Sequence, residues 1–331
     1  MDRELSDEVI VVGGGVVGLT TAVVLAEGGR RVRVWARESG ERTTSAVAGA
    51  LWWPYRIRPE RSAGEWALES LAVYAELAAR PEETGVRLVE GVHGGLRLNR
   101  LGPWAARVPG LTDTAEGVSA RLPLIDMPVH LAWLRERLDK AGGTVEKRVV
   151  FGLGEVPAAA VVNCTGLGAR SLVPDPAVRP VRGQLVVVEN PGITTWYTSV
   201  DAPDGRPGGG SEEGFEEGSE EGVSAYFFPQ PGGLLLGGTA EEDAWSLEPD
   251  PDIAAGIVAR CAAVRPEIAG ARVLGHRAGL RPYREAVRLE RELLPDGRVL
   301  VHNYGHGGAG VTVAWGCARQ AAGLVDPGPA A

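Results

Sequence analysis

Apolar positions along this chain follow two different periods, and the period changes with place. Near the start, Val9–Val12 is an unbroken apolar run closed by glycines, the pattern of a short strand covered on both faces. From Val16 to about Glu27, small and apolar residues recur at near-helical spacing, and a second short apolar run, Val32–Trp35, follows. Over 63–79, Trp66, Leu68, Leu71, Tyr74 and Leu77 are mostly three apart, which predicts an amphipathic helix. Helices are also predicted over 130–140, 252–264 and from about 310 to 324, with strand-like runs at 158–163, 184–189 and 234–237. Strands and helices alternate toward both ends, while strands gather in the middle. This order predicts an α/β domain built from both termini, with a second, sheet-rich domain inserted into it.

Composition narrows the picture. The chain has 331 residues, 44% of them hydrophobic, enough for a packed core and too many for a disordered chain. A net charge of -9 argues against a nucleic-acid partner, which would call for a basic patch. Val9–Ala26 has nearly the length of a membrane span, but four glycines and two threonines interrupt it and acids precede it. Neither a membrane role nor a secretory signal is expected. The three cysteines make no disulfide framework and show no metal-ligand spacing, so no metal is expected and a reducing cytoplasm is the expected location. One stretch is foreign to the rest: Asp201–Gly222 holds three tandem x-Glu-Glu-Gly tetrads, with eight acids against Arg206 alone. Like charges spaced by glycine cannot bury apolar area, so a solvated, mobile loop is expected there.

Three glycine-rich motifs carry chemistry. Gly13, Gly15 and Gly18 form a G-x-G-x-x-G between a strand and a helix, enclosing Val16 and Val17. The first glycine permits a tight turn, the second lets backbone approach a pyrophosphate, and the third allows close helix–strand packing, with the helix N-terminus aimed at the phosphates. An acid for the ribose is expected some 20 residues on. Glu38 stands at that distance with Arg37 beside it, so either the carboxylate takes the ribose hydroxyls or the guanidinium covers the adenine side. The second motif, Val162-Asn163-Cys164-Thr165-Gly166, ends a buried strand. The third, from Asn303 to Thr312, leads a run of glycines into the last helix. Two glycine-rich helix starts at opposite ends of one chain suit a long ligand with charge at two places, as FAD has in its pyrophosphate and its reducible ring.

The segments AVAGALWWPY (46–55), AAVVNCTGLGAR (159–170), RGQ (182–184), AGLRP (278–282) and HNYGHGGAGVTVAWG (302–316) resemble the D-amino-acid oxidase family, in order, from about residue 8 to 324. The resemblance implies a glutathione-reductase-like FAD-binding Rossmann domain with an inserted mixed-sheet substrate domain. It also implies non-covalent FAD, a D-amino acid and dioxygen as the small-molecule partners, and a 2-oxo acid, ammonia and hydrogen peroxide as products. Carried over residue by residue, Gly13, Gly15, Gly18, Thr43 and Thr44 match the phosphate and ribose contacts. Ala48, Gly49, Leu51 and Trp52 fall at the flavin ring, Val162, Thr165 and Gly166 near the adenosine, and Gly183 and Gln184 by the isoalloxazine. Gly307, Gly308, Gly310, Val311 and Thr312 match the loop around the flavin's pyrimidine edge. Arg281 matches the substrate-carboxylate arginine, Tyr226 the tyrosine that assists it, and the Gly308 carbonyl the acceptor for the substrate amino group.

The residues agree on their own chemistry. A guanidinium offers a planar fork to a carboxylate, and the proline after Arg281 holds that arginine extended. Direct hydride loss from Cα to flavin N5 needs no protein acid or base, so no catalytic side chain is expected and His306 reads as structural. Trp52, Trp53, Phe227 and Phe228 are read as apolar walls, which points to neutral or apolar D-amino acids. The expected division assigns 1–50, 125–182 and 270–331 to the FAD-binding domain, and 51–124 and 183–269 to the substrate domain with its acidic loop 201–222. Rival readings are a glycine or N-methyl amino acid oxidase, a nicotinamide-dependent dehydrogenase and a non-catalytic flavin-binding protein. A homodimer is the candidate assembly.

Overall fold

The computed structural model describes residues 8–38, 40–200 and 224–326. The acidic segment 201–222, with Arg206, lies outside the described residues. The chain opens with β1 (Val9–Val12), α1 (Val16–Glu27), β2 (Val32–Ala36), α2 (Glu60–Leu77), α3 (Pro81–Thr84) and β3 (Val86–Gly94). Next come β4 (Thr112–Asp113), β5 (Gly117–Ile125), α4 (Met127–Lys140), β6 (Thr144–Lys147), β7 (Ala160–Asn163) and α5 (Ala169–Leu172). The strands β8 (Arg179–Val188), β9 (Trp196–Val200), β10 (Ser224–Gln230), β11 (Gly233–Gly237) and β12 (Glu241–Glu242) follow. Helix α6 (Pro251–Val264), strands β13 (Val273–Leu293) and β14 (Val299–His306), and helix α7 (Gly310–Val325) complete it.

Two compact units result. The first comprises Met1–Val86, Met127–Arg179 and Arg281–Ala331, and the second Arg87–Asp126 and Pro180–Leu280. The division expected from sequence differs over 51–86, which joins the first unit because α2 packs along α7, and over 270–280, which joins the second.

In the first unit β14, β7, β1, β2 and β6 run parallel in that order, with Val9 opposite both Val32 and Ala160. The end of β13, from Tyr283 to Leu293, pairs antiparallel on β14. β1 and β7 are buried at every position, so neither shows the alternation of a one-sided strand. α1 is apolar almost all round because β1, α4 and α7 all pack against it.

α2 and α7 meet without room for a side chain. A Cβ on Gly316 would stand 2.3 Å from Trp66 Cα and 2.5 Å from its carbonyl oxygen. Around that contact, Trp66 Nε1 donates to Gln320 Oε1 at 2.6 Å, and Ser70 Oγ accepts from the Trp315 and Gly316 amides, both at 3.1 Å. Gly316→Ala must therefore part the two helices, and we expect a loss of about 1–3 kcal/mol of stability, read as a lower urea midpoint at unchanged slope. An unchanged midpoint would show that the helices separate freely.

The second unit is built on strands in the order β4-β5-β3-β9-β10-β11-β8. β3 and β9 are parallel, while β9, β10, β11 and β8 form an antiparallel meander. α6 covers one face through Ile257, Cys261 and Ala254, packed on Val186, Val188, Phe227, Leu234 and Leu236. Its N-cap is explicit: Asp250 accepts from the Asp252 and Ile253 amides, and Pro251 fills the first turn.

Candidate active site

Of the residues expected to hold a dinucleotide, all but Gly183 and Gln184 belong to the first unit. Gly13 has φ 129°, and a Cβ there would sit 2.2 Å from the Cys164 carbonyl oxygen. A Cβ on Gly18 would lie 2.0 Å from the Gly13 carbonyl oxygen, so α1 seats directly on the turn. Gly15 caps α1 without a side chain, and no acid stands in the first turn. The positive end of that helix is therefore left to an outside anion. The Val16 amide donates to Ser45 Oγ at 3.0 Å. Ser45 was missed in the sequence; the signal is the Thr-Thr-Ser run, whose third hydroxyl, not its first two, meets the turn. Thr43 donates to the Gly40 carbonyl, and Thr44 is exposed. At the end of β2, Arg37 and Glu38 form an exposed ion pair at 3.5 Å, with both side chains in solvent.

The second glycine-rich helix start meets the first. α7 also begins without a side-chain cap or an acid. A Cβ on Gly310 would lie 3.8 Å from Val17 Cγ2 of α1, so the starts of the two helices are neighbours. Gly305 and Gly307 take positive φ, and the Gly307 amide donates to the Pro282 carbonyl at 2.9 Å. That bond draws the loop onto the Arg281–Pro282 stretch of β13. A Cβ on Gly308 would be 3.5 Å from Arg281 Cδ and 3.7 Å from Tyr55 Cδ1. Arg281 and Gly308 are thus brought together, and Tyr55, which the sequence reading passed over, joins them. Gly166, at φ 56°, lies against Pro282 on the other side. Tyr226 belongs to the second unit, where its ring stacks on Phe228 at 4.9 Å and lies across Gly237 and Gly238.

Several expected contacts take other roles. Trp52 is fully buried with its indole N–H on the Ala67 carbonyl at 3.0 Å, so its side chain props α2. Gln184 is also fully buried: Oε1 accepts from Arg182 and the Asp250 amide, and Nε2 donates to the Asp250 carbonyl. Its side chain ties the chain ahead of α6, and Gly183 is buried beside it. Val162 is closed off inside the sheet. Thr312 clasps the Trp53 backbone, accepting from its amide at 3.2 Å and donating to its carbonyl at 3.0 Å. Phe227 sits in the core of the second unit and is no pocket wall. By contrast Gly15, Val17, Ala48, Gly49, Leu51, Thr165, Gly307 and Gly310 all keep accessible surface.

Burial and hydrogen bonding set the protonation of the groups around the loop. His306 is buried, and burial pushes its pKa down to about 4, so it is neutral at working pH. Its Nε2 has no partner among the described residues. Behind the loop, burial opposes the charge on Asp175, but hydrogen bonds from Tyr304 and Arg284 outweigh it and hold the carboxyl below its usual range. Burial pushes the Tyr304 phenol up to about 12, so it stays a donor to Asp175 at 2.8 Å. This cluster braces β13 against β14 under Arg281.

The sequence pattern of the FAD-dependent oxidoreductase (DAO) family matches residues 8–324. The chain belongs to that family. FAD-dependent oxidoreductases of the DAO family use FAD, and the residues fit it: side-chain-free backbone at Gly13, Gly15 and Gly308, and two adjoining helix starts with no acid in the first turn. The chain is 66% identical to the D-amino-acid oxidase of Streptomyces coelicolor, over 98% of this chain and 99% of that one. It is 47% identical to the D-amino-acid oxidase of Rubrobacter xylanophilus, over 95% and 94%. Among solved structures, glycine oxidase from Bacillus cereus shares the fold with a TM-score of 0.73 at 19% identity, over 97% of this chain and 98% of that one. Among the described residues of this DAO-family chain, no helix is long and apolar enough to cross a membrane.

Proposed function

We propose that this chain catalyses the FAD-dependent oxidative deamination of D-amino acids, preferring neutral and apolar side chains, to 2-oxo acids, ammonia and hydrogen peroxide. The observation that carries the reading is Arg281 placed against Gly308, in the loop that opens the second glycine-rich helix. The likeness to two proteins named D-amino-acid oxidase supports it. Arg281 binds the substrate carboxylate bidentately, and the Gly308 carbonyl accepts from the amino group. With carboxylate and amine both held, Cα has one orientation left, and this positioning supplies most of the rate. Bound FAD supplies the two-electron acceptor, which dioxygen regenerates. No side chain removes a proton in this scheme, in keeping with the low basicity of His306, its pKa pushed down to about 4 by burial. FAD itself rests on the Gly13, Gly15 and Val17 turn, on Ala48, Gly49 and Leu51, on Thr165 and Gly166, and on Gly307 and Gly310. Peroxide release across a panel of D-, L- and N-methyl amino acids tests the reading. Turnover confined to glycine or N-methyl substrates would overturn it.

The apolar preference rests on charge. An acidic side chain needs its own desolvated cation, since an unpaired buried carboxylate is held several kcal/mol uphill. Arg56 is the near candidate, but it is exposed and lies over the Tyr55 ring, 5.9 Å from its centroid. We expect kcat/KM for D-Asp to fall at least about tenfold below that for D-Val or D-Met. Equal values would mean that Arg56 turns into the pocket. The three buried free thiols suit a reducing cytoplasm as the place of action. A homodimer is the proposed assembly, which sedimentation equilibrium tests.

A further inference from the structure

The end of β7 is held by a side-chain chain that no cofactor role has used. Asn163 and His302 are paired neighbours on the parallel strands β7 and β14, and both are fully buried. Asn163 Oδ1 stands 3.2 Å from the Thr165 backbone nitrogen and 2.7 Å from Thr165 Oγ1. A backbone N–H can only donate, so the atom facing it must be the amide oxygen. The Asn163 NH2 then points at His302 Nδ1, 3.3 Å away, and must donate to it. That requires a lone pair on Nδ1, so the proton of His302 is on Nε2, which lies 3.2 Å from Glu292 Oε2. Nε2 makes no hydrogen bond by geometry there, and with the ring neutral the approach is a contact between its N–H dipole and the carboxylate. Glu292 is itself clamped by Arg288, which also binds Glu290 and the Tyr304 hydroxyl.

We infer that His302 and Asn163 form a proton-sensitive latch on the cofactor-binding strand end, closed only while His302 is neutral. Protonation would place an N–H on Nδ1, facing the Asn163 NH2. Relief requires the amide to turn over, and turning it points NH2 at the Thr165 amide. Thr165 then loses the bond from its backbone N–H, and its hydroxyl must turn from donating to accepting. Cys164, between them, carries the carbonyl against which Gly13 of the dinucleotide turn rests. Acid thus loosens the floor under the pyrophosphate while leaving Arg281 and Gly308 untouched. Asn163 and His302 are positioning residues, acting on FAD through Thr165 and Gly13.

The groups around His302 agree. Glu290, its register partner on β13, and Glu292 favour the charged ring, Arg288 opposes it, and Tyr304 meets it edge-on at 5.6 Å. Burial is the largest influence and sets the direction, holding His302 below the ordinary 6.5. The latch is therefore closed at neutral pH and opens as pH falls.

This inference rests on FAD binding at the proposed site, and the experiment separates the two. Holoenzyme is diluted at a series of pH values, from about 8 down to the lowest at which far-UV circular dichroism stays native, and released FAD is read by its fluorescence. The parent is expected to weaken toward FAD by up to about tenfold per pH unit once below the value of His302, the limit for one excluded proton. His302→Gln offers an amide oxygen to Asn163 and no titrating proton, so its FAD affinity should be flat with pH. Asn163→Asp keeps the acceptor for Thr165 and welcomes a proton on Nδ1, so it should also be flat, and it serves if His302→Gln does not fold. Parent affinity that does not change with pH, or the same acid loss in either folded variant, overturns the latch. No FAD bound even at the alkaline end would instead overturn the cofactor reading itself.

Discussion

Arg281→Ala is expected to lower kcat/KM for the best D-amino acid by about two orders of magnitude or more while FAD stays bound. The guanidinium is partly buried on β13 with its Cδ 3.5 Å from where a Gly308 Cβ would be. Its removal deletes a charge-assisted, bidentate hold on the carboxylate, worth roughly 3 kcal/mol in the transition state. The loss should fall on KM and kcat together, since the same grip both binds substrate and aims Cα. Arg281→Lys should recover only part of it, because an ammonium cannot reproduce the planar fork. Steady-state kinetics with a flavin absorbance spectrum of each variant decide the matter. Near-parental kcat/KM in the alanine variant would remove Arg281 from the site.

Acid should destabilise the fold steeply, and the cause lies in three buried histidines. His93, His130 and His306 are buried, and burial pushes each down to about 4 from an ordinary 6.5. In each, the unfolded chain takes up a proton near 6.5 that the folded protein refuses until about 4. The stability from keeping them neutral is complete above 6.5 and drains as pH falls toward 4. At about pH 5 each should have given up about 2 kcal/mol, and the three together roughly 6 kcal/mol, a large part of an ordinary domain's total. His130 shows why the folded state refuses the proton: the ring is buried against Tyr74 and Trp133 with no partner for Nε2 among the described residues, and this outweighs the Thr84 carbonyl 2.8 Å from Nδ1, which by itself favours the charged ring. Urea unfolding at neutral pH and at about pH 5 measures the difference. Equal stability at both would mean that these rings reach water in the folded protein.

Much of the first unit was legible because its signals are local. Val9–Val12, the G-x-G-x-x-G turn and the helix after it fall where the apolar runs and glycines place them, and α6 and α7 begin and end within a residue or two of their expected limits. What escaped has physical reasons. β8 starts at Arg179, five residues before the apolar run, because Arg182 is buried yet fully partnered by Gln184, Glu241 and the Ser246 and Glu248 carbonyls. β13 runs for 21 residues with no clean alternation, since its partners change along its length. In the site, backbone demands were visible as glycines, whereas the orientation of large side chains was not. Trp52 and Phe227 look like pocket walls in one dimension, and only packing shows that they face inward. Ser45 and Tyr55 were hidden for the opposite reason, as unremarkable residues whose value comes from what folds against them.

The clasp between Thr312 and Trp53 bears on how this protein can change. It fastens one end of the loop to the helix that follows the glycine run, with both backbone groups of Trp53 used by a single hydroxyl. Two and three residues further on, Tyr55 and Arg56 are exposed, with Tyr55 beside Gly308. Anchorage and exposed tip are thus separated by a step of chain. Under the proposed function, substitutions at the tip are expected to alter which side chains are welcomed without unfastening the wall behind it, which would open new substrate ranges to evolution at small cost to the scaffold.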